Sequence, residues 1–174
     1  MKQGFRIAAA LLIGALTVAA SPYRDLTGRS IKSLSPERME ALRSGGGAGY
    51  ALPAELNGYP GPRHVLELAA QLGLTDEQRR ATAQMFESMR SEAVPLGEAL
   101  IGKEAALDAL FRDGRANEAA LYALTAEAAA IEAKLRAAHL KYHLQMAALL
   151  SPHQRAIYGR LRGYGGEPGH RHAH

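Results

Sequence analysis

Two histidines and a methionine lie on one side of a predicted helix near the C-terminal end of the chain. The segment HLKYHLQM (139–146) places His139, His143 and Met146 at positions i, i+4 and i+7, and this spacing aligns the three side chains along a helix. Imidazole nitrogen and thioether sulfur both ligate transition metals. The residues therefore favour a metal site, for copper(I) if sulfur takes part and for zinc, nickel or cobalt if a carboxylate joins the imidazoles.

The same residues have a second interpretation, which follows from their position relative to the apolar seam of the helix. At about 100° per residue, Met146 falls at the edge of the core, His139 at its boundary and His143 on the flank. In this interpretation Met146 packs in the core and both histidines are half-exposed. Because two imidazoles fill only two coordination positions of a metal ion, a metal site here needs further ligands from elsewhere.

Candidates for those further ligands lie upstream in the chain. A hairpin that turns near Gly114 places Met85 and Met89 opposite the histidine segment, although methionines at helical spacing more often fill a core. His64 lies in the first turn of another predicted helix (62–73), with Glu67 three residues later. That pair is either part of a ligand set or a surface contact.

A second set of histidines lies in the tail HRHAH (170–174), within a Gly-rich segment (164–174) that we expect to be disordered. Its members are His170, His172 and His174. Flexible histidines bind zinc, copper or nickel weakly, because binding must order the chain. The alternative is a tail that serves solubility alone.

Helix start signals predict the scaffold that positions these residues. LTDEQ (74–78) and LSPHQ (150–154) each have the pattern of a capping box. Apolar residues at helical spacing follow the first motif, and a heptad-like seam follows Asn117, which can cap a second long helix. We therefore predict an all-α fold, a long antiparallel helical hairpin with short flanking helices. Since two helices bury little surface, we also expect a homodimer or close packing by the short helices.

The N-terminus predicts a targeting segment. Lys2 and Arg6 precede an apolar stretch of 14 residues (7–20), which is short for a membrane span. We expect a secretory signal cleaved before Ser21 or, alternatively, an uncleaved anchor in the inner membrane. The chain then divides into this segment (1–20), an irregular segment (21–61), the hairpin domain (62–163) and the tail (164–174). The irregular segment contains one predicted short helix in SPERMEALRSGGG (35–47), which Ser35 caps, Pro36 begins and the glycines end.

Composition excludes several classes of protein. The chain has no cysteine, so a disulfide and a thiolate ligand are impossible. Its formal charge is +4 and falls to +2 without the two charges of Lys2 and Arg6, which gives no indication of nucleic-acid binding. The glycine run SGGGAG (44–49) lacks the Lys-Ser/Thr of a phosphate loop, and no catalytic constellation is visible. We expect a protein that is not an enzyme.

The paired motifs resemble the LTxxQ motifs of the Spy/CpxP superfamily, over about residues 62–163. Ser151 stands where the second motif has Thr, a change that preserves capping. The resemblance implies a periplasmic, cradle-like helical hairpin that is usually dimeric. The superfamily includes periplasmic heavy-metal sensor and resistance proteins of the CnrX and ZraP type as well as ATP-independent chaperones.

The resemblance also implies where metal ligands would lie. CnrX-type sensors take ligands from a helix upstream of the first motif and from a His/Met pair on the last long helix. The upstream region of this chain holds His64, a single histidine rather than a pair, and the second region holds His139, His143 and Met146.

Two functions follow as expectations. The first is a periplasmic metal-binding protein for heavy-metal sensing or resistance, whose partner is a membrane anti-sigma factor or a sensor kinase. The alternative is a Spy/CpxP-like ATP-independent chaperone or envelope-stress modulator that holds unfolded proteins on an apolar face. The basic rim of that face would comprise Arg79, Arg80, Arg90, Lys134, Arg136 and Lys141.

Overall fold

The structure, a computed structural model, describes residues 23–164, and its regular elements in this range are helices. After a short 3-10 helix (Arg24–Leu26) come α1 (Pro36–Ser44), α2 (Leu52–Glu55), α3 (Pro62–Glu67), α4 (Asp76–Arg112), α5 (Glu118–Leu149) and α6 (Pro152–Leu161). The prediction of an all-α fold is confirmed. The targeting segment and the three tail histidines lie outside the described residues.

Helices α4 and α5 form the long antiparallel hairpin that the sequence predicts. Ion pairs cross between them from Lys103 to Glu127 at 2.6 Å and from Lys141 to Glu92 at 2.8 Å. Asn117 begins α5, since its side chain accepts a hydrogen bond from the backbone N–H of Ala120. The two long helices therefore run side by side from the turn to the opposite end.

Helix α1 crosses α4 at a glycine. Ser35 caps α1 and Gly45 ends it in the left-handed conformation, with φ of 72°, as the sequence predicts. A Cβ added to Gly97 of α4 would lie 2.8 Å from the carbonyl carbon of Leu42 and closer still to its oxygen. The backbones meet here because Gly97 has no side chain, and a first apolar cluster forms around the crossing. Its buried members include Leu42, Ala93, Leu100, Ile101 and Leu135.

A second apolar cluster joins α3, α5 and α6. Its buried members are Val65, Leu72, Met146, Leu150 and Tyr158. Met146 is fully buried there, so the prediction that this methionine packs in the core is confirmed. The short helices thus cover the end of the hairpin that contains both apolar clusters. We call this end the base (76–101 of α4 and 128–149 of α5).

The glutamines of the two motifs connect the starts of α4 and α6. Both capping boxes form as predicted. In addition, Gln78 Nε2 donates to Gln154 Oε1 at 3.0 Å, and Gln154 Nε2 donates to Gln78 Oε1 at 2.9 Å. Because each primary amide carries both a donor and an acceptor, two of them pair reciprocally. Each glutamine therefore caps its own helix and also holds the other helix start in place.

Two short elements differ from expectation. The predicted helix over 62–73 ends at Glu67, and the chain continues through turns to Gly73, which has φ of 59°. The structure also contains α2, a four-residue helix that starts at a proline-containing turn and is too short to show a periodic pattern. Helix α2 matters because it ends at Glu55.

Candidate functional site

A cavity of about 450 Å³ opens at the base of the hairpin between α4, α5 and the segment that carries α2 and α3. One wall is the glycine run at 45–49. The other residues that line the cavity include side chains able to ligate a metal, which are Glu55, His64, Met89, His139 and His143. The structure therefore gathers side chains from four helices around one space.

Both histidines of α5 are buried, with 2% of His139 and 6% of His143 exposed. The expectation that they are half-exposed is wrong. That expectation considered the packing of α5 against α4 alone, whereas the N-terminal segment covers the other side of the helix. The ring of Tyr50 stacks on His139 with centroids 6.2 Å apart, and Gly61 lies against the edge of His143.

The backbone of the covering segment orients His143. Its Nδ1 lies 2.7 Å from the carbonyl oxygen of Tyr59. A carbonyl oxygen can only accept, so Nδ1 carries the hydrogen, and in the neutral ring the lone pair falls on Nε2. A Cβ on Gly61 would lie 2.8 Å from Cε1 of this ring, so a side chain there would displace it. His143 thus offers Nε2 from a fixed position.

His139 lies one helical turn earlier and has an unpaired nitrogen. Its Nε2 is buried and has no hydrogen-bond partner among residues 23–164. Burial lowers the pKa of His139, and repulsion from a charged His143 lowers it further. The ring is therefore neutral at pH 7. A buried polar atom without a partner is rare in folded proteins, and a bound ligand is one explanation.

Glu55 is a buried carboxylate, 6% exposed, that the sequence reasoning missed. Its Oε2 accepts from the backbone N–H of Gly61 at 3.2 Å. Its Oε1 accepts from the hydroxyl of Tyr158 and, at 3.3 Å, from that of Tyr164. One signal was available, because Glu55 is the sole acidic residue between Glu40 and Glu67 and lies in a Gly- and Pro-rich stretch.

Comparison with known proteins adds a family. The model of the LTXXQ motif family protein matches residues 62–162, more than half of the chain, and includes both capping motifs and both α5 histidines. The chain belongs to the LTXXQ motif family. This is the Spy/CpxP-type family, whose members are typically periplasmic. Searches of curated proteins and of solved structures found no significant match. None of the helices within 23–164 has the length and apolarity to cross a membrane.

In this LTXXQ protein, His64 joins the cavity by a different contact from the expected one. Glu67 pairs with Arg63 at 3.1 Å, as i, i+4 residues on a helix do. His64 instead turns towards Glu55, with 3.4 Å between Nδ1 and Oε1. The predicted His64–Glu67 pair is therefore replaced by His64 with Glu55.

The methionines separate into two environments. Met89 lines the cavity together with both α5 histidines. Met146 packs in the second apolar cluster, and Met85 packs against that cluster. Of the predicted site residues, the structure brings together His64, His139 and His143 but leaves Met146 in the core.

The side chains around the cavity do not form a complete set of metal ligands in the described structure. Within residues 23–164, no group of three or more histidine, aspartate or glutamate side chains is placed so that it could hold a metal ion. Both oxygens of Glu55 already have partners, and Nδ1 of His143 is engaged by Tyr59. The buried imidazole nitrogen without a partner among the described residues is Nε2 of His139, and in the neutral ring of His143 the lone pair is on Nε2 because Nδ1 donates to Tyr59.

Three arginines also line the cavity, and two of them have acidic partners at the surface. Arg90 lies 3.7 Å from Glu87, and Arg63 lies 3.1 Å from Glu67. Arg162 differs, because its Nε lies 3.6 Å from the buried Glu55, just beyond hydrogen-bond range. The charge balance of the cavity therefore depends on how Glu55 and Arg162 are arranged.

Proposed function

We propose that this LTXXQ family member is a periplasmic metal-binding protein for heavy-metal sensing or resistance, with His139 and His143 as its first two ligands. One observation carries the proposal. The unpaired, buried Nε2 of His139 lies one helical turn from His143, whose Nδ1 is held by Tyr59, and both rings line one cavity. Metal-binding histidines commonly hold their second nitrogen in this way.

The remaining ligands would come from the other cavity residues. Thioether sulfur of Met89 with two imidazoles suits copper(I), whereas a carboxylate from Glu55 or a third imidazole from His64 suits zinc, nickel or cobalt. His139 is already neutral at pH 7, which is the protonation state that ligates. Because Glu55 is engaged elsewhere in the described structure, its participation requires a side-chain movement.

A metal in this cavity would join elements that otherwise meet through packing. Helix α5 supplies the two imidazoles, and α2 and α3 supply Glu55 and His64. An ion that binds both sets more tightly in one arrangement shifts the population towards it. We propose that a membrane anti-sigma factor or a sensor kinase reads this shift. The N-terminal segment would deliver the protein to the periplasm as a cleaved signal or an anchor.

The test is calorimetric titration of the purified chain with Zn²⁺, Ni²⁺, Co²⁺ and Cu⁺ in separate experiments. The three tail histidines are replaced by alanine in every sample, so that weak binding there does not contribute. We expect at least one ion to bind at one site per chain, and His139→Ala/His143→Ala to weaken it by about 100-fold or more. His153→Ala removes an exposed histidine of α6 and is the matched control.

Circular dichroism separates loss of ligands from loss of fold, because buried histidines contribute to packing. If the double variant unfolds, His143→Gln keeps a polar group beside Tyr59 and provides the second measurement. Equal affinity of the wild type and of a folded His143 variant would exclude the site. So would the absence of binding in the tail-substituted protein that retains both α5 histidines.

A second candidate function rests on the far end of the hairpin. Phe111 is 61% exposed and Tyr122 is 69% exposed, and aromatic surface of this kind can hold apolar segments of unfolded proteins. An ATP-independent chaperone would suppress aggregation of a client in the absence of any metal. Suppression by the metal-free chain with no metal binding would replace the first proposal by this one.

A further inference from the structure

The cavity at the base has the size and the lining of a site for a small organic molecule. Its volume of about 450 Å³ lies within the range of ligand pockets, about 300–1,000 Å³. Leu52, Phe86 and Met89 give part of its wall an apolar surface. Ligand pockets combine such a surface with a few polar groups that orient the ligand.

One polar group in the wall is available to a ligand. Nε2 of His139 is buried and has no hydrogen-bond partner within residues 23–164, and only 2% of this residue is exposed. Leaving a buried nitrogen unpaired lowers the stability of a folded protein. A ligand oxygen in the cavity would supply the missing hydrogen bond, because a neutral imidazole with its hydrogen on Nε2 is a donor.

The charged residues in the lining favour an anion. They are three arginines, Arg63, Arg90 and Arg162, and one acid, Glu55, which gives a formal charge of +2 with the histidines counted as neutral. Arg162 lies 3.6 Å from Glu55 and offsets its charge. The acidic partners of the other two arginines lie outside the lining, and ion pairs at a surface are weak. The remaining positive charge attracts a carboxylate and repels an ammonium group.

We propose that the cavity binds a small organic acid, whose carboxylate accepts a hydrogen bond from Nε2 of His139 and whose apolar body lies against Phe86 and Met89. The inference goes beyond the proposed metal-binding function and does not rest on it. It assigns a partner to the unpaired nitrogen and a use to the apolar wall, which a metal ion would leave uncovered.

Arg90 lies where it can attract the acid. Its guanidinium carbon is 5.9 Å from the centre of the Phe86 ring, and its Nε donates to the carbonyl oxygen of Ser44 at 3.4 Å. The side chain is 44% exposed, so its charge stays in contact with solvent and acts on the cavity without the cost of burying a guanidinium.

The glycine run offers a way to fill the cavity without changing its polar groups. Gly47 lines the cavity, and a Cβ added there would meet no heavy atom within 4 Å. Its φ lies outside the left-handed region, whereas Gly45 and Gly49 have φ of 72° and 82°, at which a side chain would be strained. A large side chain at position 47 therefore has room and is compatible with the backbone.

The first experiment titrates the purified chain with naphthoate and with octanoate. Each acid is compared with its primary amide and with an amine of the same carbon skeleton. The three tail histidines are replaced by alanine and a chelator is present, so that no metal contributes. By calorimetry we expect at least one acid to bind with a Kd below about 1 mM. The amide should bind about tenfold more weakly, since it lacks the charge, and the amine should not bind measurably.

The second experiment measures the Kd of the tighter acid in a pair of glycine variants. Gly47→Phe should weaken binding by about tenfold or more, because the added ring competes for the space of the ligand. Gly28→Phe is the matched control. Gly28 is exposed, lies outside the lining, and its added Cβ also meets nothing within 4 Å, so the Kd should stay as in the wild type.

Polar variants test the two groups that would recognise the carboxylate. His139→Phe keeps an aromatic ring beside Tyr50 but removes Nε2, and we expect binding about tenfold weaker. Arg90→Gln should weaken it about threefold. Arg43→Gln is the control for charge, because Arg43 also lies at the surface 3.6 Å from a glutamate but does not line the cavity.

Acid binding that is weakened by Gly47→Phe and kept by Gly28→Phe would support the proposal. Absence of binding by both acids, or equal binding of acid, amide and amine, would overturn it. An unchanged Kd in a folded Gly47→Phe variant would also overturn it. If circular dichroism shows that this variant is unfolded, an unchanged Kd in both His139→Phe and Arg90→Gln has the same consequence. Because the chelator removes metal ions, failure of acid binding leaves the metal site standing, and failure of the metal titration leaves acid binding standing.

Discussion

The base of the hairpin and its far end are made of the same two helices but differ in what covers them. In the base, α1, α2, α3 and α6 pack on α4 and α5, and both long helices bury residues. In the far end, which we call the arm (102–127), none of the described residues is buried. The N-terminal segment reaches the arm through hydrogen bonds of Lys32 and Ser33. Complete burial therefore requires a further layer on the helix pair.

Apolar side chains of the arm have the same helical spacing as those of the base. The arm leucines are half-buried, namely Leu107, Leu110, Leu121 and Leu124. In contrast, Leu100 and Leu135 are buried in the first apolar cluster together with Leu42 of α1. The predicted homodimer stays a prediction, and a second copy could supply the missing layer on the arm.

The largest expected effect comes from matched leucine truncations. Leu135→Ala in the base should lower the free energy of unfolding by about 3 kcal/mol, because it removes a buried side chain and leaves a cavity. Leu124→Ala in the arm should cost about 1 kcal/mol, since that leucine is already partly exposed. Urea denaturation of both variants measures the difference. Equal losses would mean that the arm is covered in solution, for example by a second copy.

Two glycines of α4 provide a second comparison. Gly97→Ala should lower the free energy of unfolding by about 2 kcal/mol, because its Cβ meets the backbone of Leu42. Gly102→Ala has nothing within 4 Å of the new Cβ and should instead raise stability by about 0.5–1 kcal/mol through helix propensity. Thermal and urea unfolding test both signs. A stabilising Gly97→Ala would contradict the close crossing of α1.

The smallest effect concerns pH and the metal-free protein. Because the pKa of His139 is lowered in the folded state, the unfolded chain takes up a proton first as pH falls. The contribution of the neutral His139 ring to stability is therefore complete above about pH 6.5, the ordinary pKa of histidine. It is lost as pH falls from there through the folded pKa, with a slope of at most about 1.4 kcal/mol per pH unit.

The measurement is the free energy of unfolding at a series of pH values. His139→Leu should flatten the dependence below about pH 6.5. His153→Leu, at an exposed position outside the base core, should leave the dependence as in the wild type. An identical profile for His139→Leu and the wild type would show that this buried ring does not contribute to acid sensitivity.

Local signals in the sequence determined where most helices begin and end. The capping side chains form hydrogen bonds with backbone groups no more than three residues away. They are Thr75 and Gln78 in α4, Ser151 and Gln154 in α6, and Asn117 in α5. Such contacts form in any helix start of that sequence. The heptad-like seam likewise determined the hairpin, because the apolar faces of two consecutive helices joined by a short turn pack on each other.

Tertiary structure alone decided the environment of the site. The carbonyl that orients His143 belongs to Tyr59, 84 residues earlier, and Glu55 lies on a four-residue helix without a periodic pattern. The helical positions of His139 and His143 follow from their spacing, and the sequence also suggested His64 as an upstream candidate. Burial of the two α5 rings, and the position of Glu55 between the cavity and α6, depend on how distant segments cover α5. Local chemistry does not encode that packing.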